Sequence, residues 1–204
     1  MRTQAAYSKQ NGNFNLFGTG LAGLGNPMEA VLFYQVESAE HRQQAGVLIR
    51  EYLEWLNERV QSDYGIEFDV ESMVRSDLSD SEKFHPPDGR FYLVRFKDNV
   101  VGVGCLKKLE KRVGEIQRMY VLPNFRGTGI GRAILNRLIE DARAIGYQRL
   151  KLESLEFLEA AHSLYRSVGF REIDPYADNS MKSYQDAENL DKYYSITVFM
   201  EMNL

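Results

Sequence analysis

The sequence predicts a mixed α/β fold in which a mostly antiparallel central sheet is flanked by helices. Short runs rich in aromatic and β-branched residues indicate strands, and longer runs with apolar residues at helical spacing indicate helices. Three strand-like runs follow one another across short spacers, which is typical of an antiparallel meander. With 204 residues and 44% hydrophobic content, the chain can bury one sizeable core. We therefore expect a single domain over residues 31–204.

The predicted elements follow the order β-α-α-β-β-β-α-β-α-β along the chain. Strands are predicted at residues 31–37, 91–96, 100–109, 113–121, 150–153 and 196–202. Helices are predicted after Ser38 to about residue 60, and at residues 70–78, 128–145 and 160–168. Ser38 is expected to cap the first helix, and Gly146 and Gly169 suit the positions that follow a helix.

Residues 1–30 have the composition of an arm of low intrinsic order, because Gly, Asn and Gln dominate them. Within this arm, residues 18–23 match the pattern G-x-G-x-x-G of a dinucleotide-binding loop. That interpretation requires a strand before the loop and a helix after it. Residues 11–15 are a poor strand, and Pro27 interrupts a following helix. We therefore interpret the motif as part of a flexible arm.

The composition argues against several classes of protein. The net charge is −4 without a basic stripe, so we expect no nucleic-acid partner. No apolar run is long enough to cross a bilayer, so we expect no membrane partner. The single cysteine, Cys105, cannot form an intramolecular disulfide and indicates a reducing, cytoplasmic compartment. His41, His85 and His162 lack the spacing of metal ligands, so we predict no metal.

A second glycine-rich loop, residues 126–131, joins a predicted strand directly to a strongly amphipathic helix. Glycines allow the backbone to approach a ligand closely and to adopt positive φ. The free N–H groups and the positive dipole end of the helix attract a pyrophosphate. Arg126 and Arg132 add positive charge beside it. The alternative is a tight strand–helix turn with surface arginines.

Residues 115–131 closely resemble the coenzyme A-binding segment of GNAT superfamily N-acetyltransferases. The signature R/Q-x-x-G-x-G/A of that family corresponds to Arg126, Gly129 and Gly131. Residues 161–170 are similar to the family segment A-x-x-L-Y-x-x-x-G-F, and residues 199–204 to the last strand of many small members. The resemblance covers about residues 31–204. One departure is Leu158, where many members have an asparagine that contacts the cofactor.

The resemblance implies an acetyl-CoA-dependent N-acetyltransferase whose sheet is splayed in the middle to admit acetyl-CoA. A bulge near Met119 would turn a backbone N–H towards the thioester oxygen, and the backbone of Val121 would pair with the pantetheine arm. The residues expected to bind acetyl-CoA are Met119, Tyr120, Val121, Arg126, Gly127, Thr128, Gly129, Ile130, Gly131 and Arg132.

Two side chains are the candidates for proton transfer when an amine attacks the thioester. Glu115 has the spacing from Val121 of the base glutamate in histone acetyltransferases of this superfamily. Its alternative role is a solvated strand residue or an ion-pair partner of Arg118. Tyr165, placed by the second family segment, is the candidate acid for the leaving thiolate. Its alternative role is a packed core tyrosine.

The acceptor cannot be read from these motifs, and three functions are compatible with them. The first is acetylation of a primary amine on a small molecule or amino-acid-like acceptor. The second is a protein acetyltransferase acting on lysines or N-termini, and the third is a non-catalytic sensor that binds acyl-CoA. Residues 174–195 contain tyrosines that can wall an acceptor pocket: Tyr176, Tyr184, Tyr193 and Tyr194. The arm and an exposed final strand also suggest a homodimer.

Overall fold

A computed structural model describes residues 30–79, 82–176 and 187–204 of the chain. The predicted N-terminal arm, apart from Ala30, and the G-x-G-x-x-G motif within it lie outside the described residues. Tyr184 lies outside them as well.

The described residues form a seven-stranded sheet and five α-helices. The strands are β1 Val31–Gln35, β2 Arg90–Phe96, β3 Asn99–Glu110, β4 Val113–Val121, β5 Arg149–Leu155, β6 Arg171–Ile173 and β7 Thr197–Asn203. The helices are α1 Ala39–Tyr64, α2 Val70–Ser79, α3 Ile130–Ile145, α4 Glu159–Ser167 and α5 Ala187–Ser195. The strand order is β1-β2-β3-β4-β5-β7-β6, and every neighbouring pair is antiparallel except β4 and β5. The predicted fold class is confirmed.

The sheet splits between β4 and β5. These two parallel strands pair only where residues 113–115 face residues 149–151. Beyond Glu115, β4 stays with β3, whereas β5 stays with β7. The two halves of the sheet therefore separate at the carboxyl ends of β4 and β5, and this confirms the predicted splay.

A bulge in β4 lies on the side of this opening. Val103 pairs with Tyr120 and Cys105 pairs with Gln117, so Arg118 and Met119 together face Gly104. Arg118 has a φ of 49°, which only a minority of non-glycine residues adopt. An extra residue in one strand bends it and redirects a side chain. The bulge predicted near Met119 is therefore present, and it turns the strand at Arg118.

The helices cover both faces of the sheet and form two apolar clusters. One cluster joins the sheet to α1 and α2, and the other joins it to α3. Close approach of α3 depends on Gly104 of β3, because a Cβ there would lie 2.5 Å from Ile134 Cγ2. The Ser38 hydroxyl accepts a hydrogen bond from His41 N at 3.0 Å, which confirms the predicted cap of α1. Helix α3 begins at Ile130, because Gly129 at φ 91° is not helical.

Two described elements were not predicted, namely β6 and α5. Strand β6 has only three residues, too few for an alternating pattern to be recognised. It pairs with β7 at one edge of the sheet, so β7 lies between β5 and β6. The expectation that the final strand is an exposed edge is therefore wrong. The edges are β1 and β6. No helix in the described ranges is long and apolar enough to cross a membrane.

Candidate active site

A cavity of about 360 Å³ opens where β4 and β5 separate, and we call it the cofactor cavity. Its walls are the end of β4, the start of α3, the loop after β5 and one face of α4. The lining residues are Tyr52, Trp55, Met119, Tyr120, Val121, Arg126, Gly127, Gly131, Phe157, Leu158, Glu159, Ala160, Ala161, Leu164 and Tyr165. Two segments predicted independently from the sequence, residues 119–131 and the helix bearing Tyr165, are thus brought to one cavity.

The start of α3 supplies free backbone donors to this cavity. The first hydrogen bond of the helix runs from Ala133 N–H to the Gly129 carbonyl, at 3.0 Å. The N–H groups of residues 130–132 therefore have no carbonyl within the helix to bind. Gly127 and Gly129 adopt φ of 76° and 91°, and an added Cβ would meet no atom within 4 Å at either position. The loop is open, and it has the donors and the positive helix end that a pyrophosphate requires.

Tyr165 lies at the inner end of the cofactor cavity, on α4. Its ring is buried and packs against Phe170, with ring centroids 5.9 Å apart. Among the described residues, none forms a hydrogen bond with its hydroxyl. Burial raises the pKa of Tyr165, and the neighbouring Tyr52 adds to the rise. The phenol therefore stays protonated at neutral pH and is able to donate its proton.

Glu115 is completely buried at the point where the sheet splits. Its carboxylate lies 2.9 Å from Lys107 Nζ and accepts hydrogen bonds of 2.5 Å from Tyr176 and Gln117. Burial, together with the charge of Glu115, raises the pKa of Tyr176, so this phenol remains a donor. Glu115 does not line the cofactor cavity. Its nearest link to open space is Gln117, which lines a second cavity.

The second cavity, which we call the inner cavity, has a volume of about 60 Å³. It adjoins the cofactor cavity, because Tyr52 and Leu158 line both. Its other lining residues are Leu53, Leu56, Phe68, Met73, Ile116, Gln117, Arg118, Glu153, Ser154, Leu155 and Tyr193. This cavity could not be predicted from the sequence, because its walls come from five separate parts of the chain. Only Tyr193 had been proposed as part of an acceptor pocket.

The sequence model described as "Acetyltransferase (GNAT) family" matches residues 49–170. That range includes the β4 bulge, the glycine loop and Tyr165. The chain belongs to the GNAT acetyltransferase family. At the level of the family, this confirms the predicted class, an acetyl-CoA-dependent N-acetyltransferase, and acetyl-CoA as its co-substrate.

Individual relatives of this GNAT acetyltransferase align over part of their length. The IAA acetyltransferase of Azospirillum brasilense is 38% identical over 100 residues, which cover 48% of this chain and 65% of that protein. The N-acetylaspartate synthetase of Rattus norvegicus is 34% identical over 107 residues, covering 51% of this chain and 36% of that protein. This chain therefore spans slightly less than two thirds of the first relative and about one third of the second.

A solved structure shares the fold over nearly its whole length. The PaiA N-acetyltransferase of Thermoplasma acidophilum, in complex with coenzyme A, superposes with a TM-score of 0.58 and 16% identity. The match covers 86% of this chain and 99% of that one. At this identity the likeness establishes the fold of the GNAT chain.

Several side chains predicted to bind the cofactor in the GNAT chain point elsewhere. Thr128 Oγ1 donates to the Phe125 carbonyl at 2.6 Å, and Arg132 Nη2 donates to Ser167 Oγ at 2.9 Å. Ile130 is buried in the apolar cluster beneath α3. With Gly129, these residues do not line the cofactor cavity.

Arg126 is not a free surface arginine. Its guanidinium lies 5.3 Å from the Trp55 ring centroid and 5.4 Å from that of Tyr120. Its Nε donates to the Val121 carbonyl at 3.0 Å. Arg126 therefore closes one wall of the cofactor cavity, against the strand end predicted to pair with pantetheine.

A hydrogen-bonded pair, His162 and Ser154, joins α4 to β5 and was not anticipated from the sequence. His162 Nε2 lies 3.0 Å from Ser154 Oγ, and Ser154 lines the inner cavity. Burial lowers the pKa of His162, and Arg166 lowers it further, so the ring is neutral at pH 7. No motif marks this pair, because the two residues belong to different elements. In the described ranges, no group of three or more His, Cys, Asp or Glu could hold a metal ion.

Proposed function

We propose that the chain transfers the acetyl group of acetyl-CoA to the primary amine of a small molecule or amino-acid-like acceptor, by direct attack. The observation that carries this proposal is the inner cavity, a space of only about 60 Å³ that adjoins the cofactor cavity across Tyr52 and Leu158. A compact acceptor fits a space of this size. The names of the two relatives, an IAA acetyltransferase and an N-acetylaspartate synthetase, also favour small acceptors.

We assign the residues of the cofactor cavity to three tasks. The N–H groups at the start of α3 would hold the pyrophosphate, and the loop from Gly127 to Gly131 would let it approach closely. The strand end at Met119–Val121 would run beside the pantetheine arm. The Val121 carbonyl already accepts a hydrogen bond from Arg126 Nε, and its second lone pair could accept one from the pantetheine arm. Leu158, in place of the family asparagine, offers only an apolar contact.

The reaction breaks the thioester C–S bond and forms an amide C–N bond. The Met119 N–H at the bulge is the proposed donor to the developing oxyanion. The Tyr165 hydroxyl is the proposed acid that protonates the departing thiolate. Its pKa, raised by burial, keeps the proton available at neutral pH.

Glu115 remains our proposed base for the acceptor ammonium, with water as the proton relay between them. Its carboxylate is already engaged by Lys107, Tyr176 and Gln117. The work required depends on the acceptor. An α-amine of pKa near 8 costs about 1 kcal/mol to neutralise at pH 7, whereas a lysine costs about 4.6 kcal/mol. A partly engaged base is therefore better suited to an α-amine.

The test is acetyl transfer to a panel of small amines, with a lysine-containing peptide and a peptide with a free N-terminus as competitors. Release of coenzyme A thiol and the mass of the product would be measured together. We expect the product mass to show one acetyl group in place of one hydrogen on a small amine. Exclusive acetylation of the peptides would favour the protein acetyltransferase. Tight acetyl-CoA binding without turnover on any amine would favour the acyl-CoA sensor.

We also propose that the protein is a homodimer in the cytoplasm. The described sheet has two edges, β1 and β6, that a second copy can pair with. Light scattering across a wide concentration range is the test of the dimer. A constant monomer mass would contradict it.

A further inference from the structure

A buried cluster of two cations and one carboxylate lies beside the inner cavity, and Arg118 is the member of the cluster that lines it. Asp77, on α2, is fully buried, and its carboxylate pairs both with Lys83 Nζ, at 2.7 Å, and with Arg118 Nε. Two cations therefore share one carboxylate. The side chain of Arg118 is only 8% exposed, so water cannot fully compensate the remaining charge. Such a cluster is stabilised when an anion approaches it.

Arg118 directs an unused donor at the cavity. Its Nη2 is buried, and no hydrogen-bond partner for it is found among the described residues. Arg118 lines the inner cavity, and the positive φ of the bulge sets the direction of its side chain. A guanidinium forms strong, charge-assisted hydrogen bonds with carboxylates.

The neighbouring residue supplies an unused acceptor. Gln117 also lines the cavity, and its Nε2 donates to Glu115. That bond fixes the amide with Oε1 on the other side, and Oε1 is buried without a partner in the described part of the chain. A carbonyl oxygen in this position accepts from an ammonium group. Adjacent positions thus offer one cationic donor and one neutral acceptor.

The size and the remaining walls of the cavity limit what can bind. A water molecule needs roughly 10–15 Å³ of such space, so about 60 Å³ holds the equivalent of roughly four waters. Leu53, Leu56, Phe68 and Met73 form an apolar side. Glu153 also lines the cavity from β5 and repels any carboxylate placed near it, so a bound carboxylate must lie on the side of Arg118. The space suits a short, singly anchored carboxylate with a small side chain.

We propose that the inner cavity binds the α-carboxylate of the acceptor through Arg118 Nη2 and its α-amine through Gln117 Oε1, so that the acceptor is a compact free amino acid. This inference rests on the proposed function, because it names the substrate class of the same site. The amine would then lie towards Tyr52 and Leu158, where the two cavities meet. An amine without a carboxylate would leave the donor on Arg118 unpaired.

The experiment compares matched acceptors on the full chain loaded with acetyl-CoA. The probes are glycine, L-alanine, L-methionine and L-aspartate, each against its α-carboxamide. For the wild-type protein we expect kcat/KM to be at least about 100-fold higher for the best acid than for its amide, since the amide lacks the negative charge that Arg118 binds. An amide acetylated as well as its acid would overturn the proposal without any variant.

Arg118→Lys then tests the role of this residue. Lysine keeps the positive charge beside Asp77, but it cannot bind Asp77 and the acceptor carboxylate at the same time in the same geometry. We expect the acid-to-amide preference to fall at least about tenfold, mainly through KM, with acetyl-CoA affinity unchanged. The matched control is Arg137→Lys on α3, which pairs with Asp141 and lines neither cavity. A preserved preference in a folded Arg118→Lys protein would overturn the assignment.

Calorimetry with the same acids and the coenzyme A-loaded protein separates this inference from the proposed function. Binding of an acid that is lost in Arg118→Lys, without turnover in the wild type, would sustain the carboxylate site and contradict the proposed function. Turnover of simple amines with no preference for acids would sustain the proposed function and contradict the site. Absence of both binding and turnover for every acid would contradict the site as well.

Discussion

Replacement of Tyr165 by phenylalanine removes one proton donor while keeping the ring in its place. The ring is 7% exposed and packs against Phe170, and phenylalanine can keep both contacts. The hydroxyl bonds to no residue in the described part of the chain, so its loss leaves no group of those residues unpaired. A buried partner left unpaired would cost about 1–3 kcal/mol. We therefore expect the free energy of unfolding to change by less than about 1 kcal/mol.

The expected effect on turnover is much larger. A positioned general acid contributes roughly 10²–10⁴-fold, which corresponds to about 2.7–5.4 kcal/mol in the activation free energy. Acetyl-CoA affinity should stay close to wild type, because the strand end and the loop before α3 are untouched. Since burial raises the pKa of Tyr165, its ionisation should produce no fall in wild-type activity below pH 10.

The assay is release of coenzyme A thiol at saturating acceptor, with urea unfolding and calorimetry of acetyl-CoA binding on the same preparations. Tyr147→Phe is the matched control, because the Tyr147 hydroxyl donates to the Asp88 carbonyl at 2.6 Å and Tyr147 lines neither the cofactor cavity nor the inner cavity. It should lose about 0.5–1.5 kcal/mol of stability and no activity. A Tyr165→Phe enzyme with full turnover would refute the acid assignment.

Three further predictions concern the loop, the base and a buried histidine. Gly129→Asp should weaken coenzyme A binding at least about tenfold by calorimetry, because it adds backbone strain and a negative charge beside the pyrophosphate. The control is Gly146→Asp, at φ 97° with no atom within 4 Å of an added Cβ. It should show a similar backbone strain of about 1–2 kcal/mol and normal coenzyme A affinity. Equal affinities in both variants would place the pyrophosphate elsewhere. Glu115→Gln should leave Lys107 without its carboxylate and lower the free energy of unfolding by roughly 3–5 kcal/mol. Its residual activity should rise with pH, because more of the acceptor amine is then unprotonated. A flat pH profile in folded protein would argue against a base role. Burial lowers the pKa of His162 below its unfolded value near 6.5. Its contribution to the free energy of unfolding is therefore present above that pH and is lost as the pH falls through the folded pKa. Urea unfolding at pH 5.5 and 7.5 should show a larger loss of unfolding free energy at the lower pH in wild type than in His162→Gln, and equal losses would contradict this.

The sequence by itself determined the features whose signals are local. The meander of β2–β4, the amphipathic helix α3 and the glycine loop before it were all predicted close to their observed bounds. The periodicity of apolar residues and the glycines needed for positive φ act within a few residues, so they are readable in one segment. The family segments pointed to the loop and to Tyr165 separately, and in the structure Arg126, Gly127, Gly131 and Tyr165 line one cavity.

Only the tertiary structure decided which charges and polar groups face each other. Arg118 was weighed as a partner of Glu115, three residues away, but it pairs with Asp77, which lies 41 residues away on α2. Glu115 pairs instead with Lys107 across the β3–β4 ladder and with Tyr176 beyond β6. The bulge at Arg118 turns its side chain away from the direction that regular strand alternation would give. Alternation predicts which face a side chain takes, whereas its partner depends on how distant elements pack.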